Sequence, residues 1–513
     1  MGSVVPVRDT RSTSQRNVTE TAGFLYSAMV TTDNQVPLHG LGPRTRLGGL
    51  DRGALGAADV AAQSVSAMAP CGAAAAIPVL VAAQGGPVVL SMAIAFALAL
   101  IVSWLVRGFA RRVPAAGSLY TCAAVGVGPL SGFITAGALL LGYLGIGMFA
   151  VTETSAFWLR LASSVGLTAH GWLVAVTALG FAALSGVVLV RGIRLSARVS
   201  LVTETVAVLL VVAVSVWLLC HGDERRLHDA LLAHTPDLGR LVSGVAVAMT
   251  AFVGFESATV LAVETRNPLR TVPAAVRGSL LVGGAVVLLA TLAQAETLSG
   301  ATTNSWFQAL TADPGGRALV PAVYLAAALS FFACALASTT AAARVLLSLA
   351  REGVLPAALG HTDLRSKAPT VGIWLCTATV FGVPFAVSAF GADAEAVCGS
   401  LVAGAACGFL LAYAALAGSM PAMLRRLGEP SRVAWVVGPA CALALTAVLA
   451  GFWGLTVAGP LWTGAVTSAV WMLAWTAVGL RVRARRPDAF ASMGAHAGTV
   501  RSSVWRGYLR GAS

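Results

Sequence analysis

Twelve apolar stretches recur along this chain, near residues 57–84, 87–109, 130–157, 171–190, 197–220, 241–264, 272–294, 317–350, 369–390, 396–418, 433–452 and 459–480. Each is close to the ~20 residues a helix needs to cross a bilayer. Continuous apolar runs of this length cross as helices, whose backbone groups bond within the segment. The pattern predicts an all-α polytopic membrane protein with twelve transmembrane helices. Composition supports it: 57% of residues are hydrophobic and 11% charged, against roughly a quarter charged in a soluble domain.

The formal net charge of +13 would suit a nucleic-acid binder, but its distribution excludes one. Lys367 is the sole lysine, and the arginines cluster in alternate loops: Arg107/Arg111/Arg112, Arg191/Arg194/Arg198, Arg266/Arg270/Arg277, Arg344/Arg351/Arg365, Arg425/Arg426/Arg432 and Arg481/Arg483/Arg485/Arg486. The opposite side holds Arg160, Arg225, Arg226, Arg240 and Arg317, partly offset by Asp223, Glu224 and Asp229. The positive-inside rule then places both termini in the cytoplasm. The lipid bilayer is the large partner expected, at a bacterial plasma membrane.

Residues 1–52 are polar and aperiodic and read as a disordered cytosolic arm. They lack the apolar core of a secretory signal. Residues 53–480 form the membrane domain, and 481–513 a basic cytosolic tail. The seven histidines fall outside the apolar runs and the eight cysteines follow no CxxC spacing. No metal, no cofactor and no catalytic cluster is expected, which argues against an enzyme.

Two of the twelve spans carry residues a lipid-facing helix would not tolerate. The sixth reads Phe252-Val253-Gly254-Phe255-Glu256-Ser257 at its middle. A carboxylate at that depth costs roughly 2.5–3.5 kcal/mol on insertion scales unless it faces protein or water. The glycine beside it lets the backbone leave helical geometry. The first span is interrupted at Ala69-Pro70-Cys71-Gly72, where Pro70 has no N–H to donate, and Pro78 adds a second interruption. Spans one and six hold matching places in two five-helix halves, and paired interruptions of this kind mark a transport site. Half-helix N-termini attract an anionic group, and carbonyls freed at the breaks can hold an ammonium group. A zwitterionic amino acid suits both.

Four stretches give the chain a resemblance to the amino acid–polyamine–organocation (APC) transporter superfamily, of the bacterial amino acid permease type. Phe252 to Ser257 with Glu264, Asn267-Pro268 and Pro273 resembles the family's sixth helix. Arg111-Arg112-Val113-Pro114 through Tyr120, then Gly128-Pro129, resembles its approach to helix three. Gly192 to Val199 resembles the start of helix five, and Ala343-Arg344 through Pro356, with Pro369, the end of helix eight. The likeness covers roughly residues 50–480. It implies a five-plus-five inverted repeat with broken helices one and six, plus two C-terminal helices. It also implies a secondary transporter working by alternating access, proton-coupled or by exchange.

Carried onto this chain, the resemblance assigns substrate contacts to Ala69, Pro70, Cys71 and Gly72 and to Phe252, Val253, Gly254 and Phe255, with Phe252 or Phe255 as an aromatic lid. Glu256 becomes either a protonatable latch or a cap on backbone N–H groups at the break. Glu264, Arg266, Arg351 and Glu352 are assigned to a cytosolic charge network. The chain departs from the family at three points. Gly108 stands where many members have a carboxylate, Thr250 where arginine antiporters have a gating Trp, and no lysine is available for the helix-five proton mechanism. Helix five offers Thr203 and Glu204 instead, as coupling or gating residues. Small residues at the first break and phenylalanines at the second fit a neutral, modestly apolar amino acid. An amine or polyamine substrate, or a non-transporting amino acid sensor, are the alternatives.

Overall fold

Breaks, not long runs, set the architecture. The structure, a computed structural model, describes residues 50–113, 118–166, 171–191, 193–221, 237–298, 310, 314–390, 394–459 and 461–494. Most of the two tails and the Asp223–Asp229 loop lie outside the described residues, as does the Pro114–Gly117 part of the helix-three motif. In chain order the helices are α1 Ala57–Met68, α2 Pro70–Ala83, α3 Val88–Ala110, α4 Leu119–Gly126, α5 Pro129–Ser164, α6 Gly171–Val190, α7 Ile193–His221 and α8 Leu238–Met249. After a 3-10 segment, Phe255–Glu264, come α9 Pro268–Leu298, α10 Val320–Arg351, α11 Thr370–Ala389, α12 Ala394–Arg426, α13 Arg432–Val457, α14 Trp462–Arg485 and α15 Pro487–Ala491. Pairing outside helices amounts, among the described residues, to an isolated bridge between Leu55 and Thr265.

Ten helical stretches of the described residues are long and apolar enough to cross a membrane, α1 and α2 counting together as one; Gly180–Val190 and Leu238–Met249 are shorter apolar helices. The shortfall from twelve at the sixth span has a local cause. α-Helical geometry ends at Met249, and after a short turn Gly254, at φ 101°, ψ −21°, caps the start of a 3-10 helix, Phe255–Glu264. The first span breaks at Ala69, held in left-handed geometry at φ 45°, ψ 62°, a conformation that costs an L-residue about 1–2 kcal/mol. Pro70 then starts α2, where its missing N–H is harmless.

Pro78 does not interrupt the helix as the sequence suggested. α2 runs through it to Ala83. A proline strands the carbonyl four residues back, here that of Ala74, and Gln294 of α9 donates its Nε2–H to that oxygen at 2.9 Å. The neighbouring helix thus replaces the lost bond.

The centre of the bundle is α5, packed most extensively against α10 and α12. Gly408 of α12 permits that approach, since a β-carbon there would meet the Gly142 nitrogen at 2.6 Å and the Ala138 carbonyl at 2.7 Å. Close backbone contact at small residues is how membrane helices gain packing energy when lipid already satisfies their apolar surface. α13 and α14 are mostly unburied and lie outermost. α14 is tied to α5 by Trp471 and Trp475, whose indole N–H groups donate to the Gly137 and Phe133 carbonyls at 2.9 and 2.7 Å.

Candidate functional site

The two breaks meet. A β-carbon on Gly254 would stand 2.5 Å from the carbonyl carbon of Ala67 and 2.8 Å from the Met68 nitrogen. The sixth-span break is therefore laid directly on the backbone where α1 ends. Ser64 donates to the Phe255 carbonyl at 3.0 Å, and Gln63 donates to the Ala337 carbonyl at 2.9 Å. α1, the 3-10 segment and α10 are thus pinned together along a buried polar seam.

Glu256 is fully buried and accepts from three donors. The Gly254 N–H reaches Oε2 at 2.9 Å, Tyr413 of α12 reaches the same oxygen at 2.6 Å, and Tyr143 of α5 reaches Oε1 at 2.9 Å. One bond caps the break's own backbone; the other two fix the break to the central helices. Every partner is a donor, and the three bonds take most of the roughly four acceptor sites of a carboxylate. The two tyrosines lie 113 and 157 residues away in sequence, with no local signal linking them to Glu256.

Beside the breaks lies a cavity of about 10 Å³, lined by Ala67, Met68, Ala69, Ala73, Ile77, Ile146, Phe149, Thr250, Phe331 and Cys334. That volume is near the least that admits one water, so the site is closed in this conformation. Of the predicted contacts, Ala69 lines it directly. Phe252 instead packs on Phe96, ring centroids 5.3 Å apart, and Phe255 stacks on Tyr413 at 5.8 Å. The rings that face the cavity belong to Phe149 and Phe331. Phe331 also covers Gly72: a β-carbon there would meet its ring at 2.9 Å. Val253, Pro70 and Cys71 are buried around the same junction.

Glu204 of α7 is buried and reaches the first break from outside it. The Gly72 N–H donates to Ser330 Oγ at 3.1 Å, and Ser330 donates onward to Glu204 Oε1 at 2.8 Å. Thr203 turns its hydroxyl back to its own helix, onto the Val199 and Ser200 carbonyls.

The four residues assigned to the charge network take different hydrogen-bond partners, although Arg351 lies within reach of the Glu264 charge. Glu264 forms a buried two-pronged ion pair with Arg344 of α10, at 2.9 and 3.2 Å. Arg266 donates to the Gly53 carbonyl, while Arg351 donates to the Gly360 carbonyl and to Thr362. Glu352 accepts the N–H of Gly494, beyond α15. Beside Glu264, the Leu55 N–H donates to the Glu264 carbonyl and the Arg266 N–H to that of Leu55, closing the chain leading into α1 onto the end of the sixth span. Arg344 stands inside the helix-eight motif; its pairing, 80 residues distant, was not legible there.

At the opposite end, between the C-terminal end of α2 and the start of α8, a second cavity of about 640 Å³ is open. Gln84, Asp237, Arg240 and Ser243 line it with the first turns of α12 and the α13–α14 connection. Asp237 also caps α8, accepting the Arg240 N–H at 3.2 Å.

Sequence comparison with known proteins places the chain among permeases. The family model for amino acid permeases matches residues 55–480. Branched-chain amino acid permease BcaP of Lactococcus lactis is 28% identical over 434 residues, covering 78% of this chain and 88% of the relative. An uncharacterized transporter of Mycobacterium tuberculosis is 27% identical, covering 77% and 88%. The low-affinity putrescine importer PlaP of Escherichia coli is 23% identical over 297 residues, 55% of this chain and 64% of the relative.

Proposed function

The chain belongs to the amino acid permease family of the APC superfamily, a transporter and not an enzyme, and from that premise we propose that it moves a neutral, apolar α-amino acid across the membrane by alternating access. The observation that carries this reading is the meeting of the two breaks: Gly254 lies on Ala67 and Met68 beside an apolar cavity. A substrate held there has the first turn of α2 for its carboxylate and the sixth-span break for its ammonium group. Apolar walls from Ile77, Ile146, Phe149 and Phe331 suit a branched aliphatic side chain. The similarity to a branched-chain amino acid permease points the same way.

The reading includes the twelve-helix arrangement, with α1–α2 and α8 plus the 3-10 segment as the broken members of two inverted five-helix halves. The arginine-rich ends face the cytoplasm, with both termini there, in a bacterial plasma membrane. Transport is proton-coupled or by exchange. A diamine is the second reading, favoured by the likeness to the putrescine importer and by the buried acids Glu204 and Glu256. The donors around Glu256 weigh against it, because a cation would have to compete with three hydrogen bonds.

The test is a thermal-stability screen of the purified chain against the amino acids and common amines, followed by uptake in proteoliposomes. A ligand that binds the folded state raises its apparent stability, by about 2.7 kcal/mol at a hundred times Kd. Leucine, isoleucine or valine should stabilise the protein and be taken up. Stabilisation by putrescine and not by these amino acids would overturn the reading.

A further inference from the structure

At the N-terminus of α2 a side chain of the protein stands where a substrate carboxylate would bind. Helix N-termini carry unsatisfied N–H groups and about half a positive charge. At α2 the Gly72 N–H is satisfied by Ser330 Oγ, and the single hydroxyl proton of Ser330 goes to Glu204 Oε1. Glu204 is 1% exposed, and its second oxygen, Oε2, has no hydrogen-bond partner. The backbone N–H of Cys71, the other open donor of the same turn, bears on this carboxylate. The groups around Glu204 are therefore donors, which suits an ionised carboxylate; a proton on Oε2 would be a buried donor with nothing to receive it.

The elements packed against α7 bring no opposing charge. They are α1, α2, α6, α9 and α10. The titratable groups that bear on Glu204 are the thiols of Cys71 on α2 and Cys334 on α10. No charged side chain among the described residues acts on it. When it is ionised, its charge is balanced by the helix end alone.

We propose that Glu204, acting through Ser330, is an internal occupant of the α2 N-terminus that an incoming substrate carboxylate displaces, and that the displaced Glu204 takes up one proton from the outer solution. This rests on the amino acid reading of the site. The step balances simply. The substrate enters as a zwitterion and makes no covalent bond. One O–H bond forms on Glu204 with a proton from water, and it breaks again when the substrate leaves on the other side and Glu204 returns to Ser330. Two buried carboxylates at one helix end repel strongly in a medium of low effective dielectric, so occupation by substrate and ionisation of Glu204 exclude one another. One positive charge then crosses with each amino acid. This gives the chain a coupling route in the absence of a lysine in its apolar spans. Glu204 is a positioning residue here: it touches the helix end, and the substrate only by exchange with it.

The experiment uses the purified full chain in weakly buffered detergent at mildly alkaline pH, where a free carboxylate is ionised, with a pH-indicating dye and leucine or putrescine as probes. Leucine binding should draw one proton per leucine from solution. Putrescine has no carboxylate and should draw none. In Glu204→Gln the proton uptake should vanish, and leucine binding should become several-fold tighter and independent of pH, because its competitor is gone. Glu204→Asp should restore the proton uptake. Leucine binding to the unaltered protein without proton uptake would overturn the proposal, with no variant required. Proton uptake persisting in Glu204→Gln, or equal uptake with putrescine, would overturn it as well. If leucine neither binds nor stabilises the protein, the substrate reading itself falls and the proposal falls with it, and the stability measurement alone identifies that case.

Discussion

Gly254 is the residue on which the site turns. Its φ of 101° belongs to a region that side chains avoid, and the space a β-carbon would need is filled by the Ala67 carbonyl. Both effects act on Gly254→Ala. Strain in a positive-φ conformation costs about 1–2 kcal/mol and overpacking a filled site about 1–3, so a loss of roughly 2–5 kcal/mol follows. The obstruction is backbone, which cannot rotate aside as a side-chain tip would. Gly254→Ala should lower the unfolding midpoint markedly and abolish uptake. A variant as stable as the unaltered protein would mean that the breaks do not touch. Ala69 carries the opposite device, a side chain kept in left-handed geometry with its φ at 45°. Strain of this kind persists where the surroundings over-determine it, and here Pro70 and the packed sixth-span break do so.

Among the elements, what could be read in the sequence was what departs from the local pattern. Gly254 and Glu256 interrupt an apolar run, and Pro70 interrupts an alanine-rich one, so the breaks and their kinship were visible at once. Ser330 and Phe331 sit in a run that looks like any buried helix, and nothing local marks the hydroxyl that meets Gly72 or the ring that covers it. Tyr143 and Tyr413 are ordinary aromatic residues until the fold brings them to Glu256. Pro78 misled for the complementary reason, because its remedy, Gln294, lies 220 residues from the carbonyl it serves. The Glu264–Arg344 pair allows a test at this scale. Both side chains are about 4% exposed and meet through two hydrogen bonds, binding the end of the sixth span to α10. Removing one partner of a buried pair strands the other charge, at about 3–5 kcal/mol, whereas replacing both by apolar groups is often neutral. Arg344→Ala should therefore destabilise by that amount in denaturant titration, and Glu264→Leu combined with Arg344→Leu should recover most of it. If the double variant were as unstable as the single one, the pair would be contributing shape and not charge.

Over the whole molecule, closure is unequal at the two ends. The arginine-rich end is tied by the Glu264–Arg344 pair, by the Leu55–Thr265 bridge and by the segment after α14, while the opposite end holds an open cavity of about 640 Å³. The segment after α14 is the tie that comes last along the chain. Arg486 donates to the Gly353 carbonyl at 3.1 Å, Phe490 and Met493 are buried, and the Gly494 N–H donates to Glu352 at 3.2 Å, with Tyr120 of α4 facing the same carboxyl. It thus joins α14 to the ends of α10 and α4, elements that must separate if that end is to open. Burial pushes the Glu352 carboxyl up to about 7, against the smaller downward pull of the Gly494 N–H and Tyr120. A carboxyl raised above its ordinary value holds its proton more tightly when docked than when released. The contact is therefore strongest where Glu352 is protonated in both states. It weakens as pH rises from about 4.5, the ordinary value, and the loss is complete above the docked value of about 7. Part of the Glu352 side chain meets water, so the loss is of order 1–2 kcal/mol, less than the full shift would imply. Between about pH 5 and 8 the unfolding midpoint of the unaltered protein should fall relative to that of Glu352→Gln, whose neutral amide does not titrate. Parallel profiles for the two proteins would show that Glu352 is already hydrated and that this end is held by its other two ties alone.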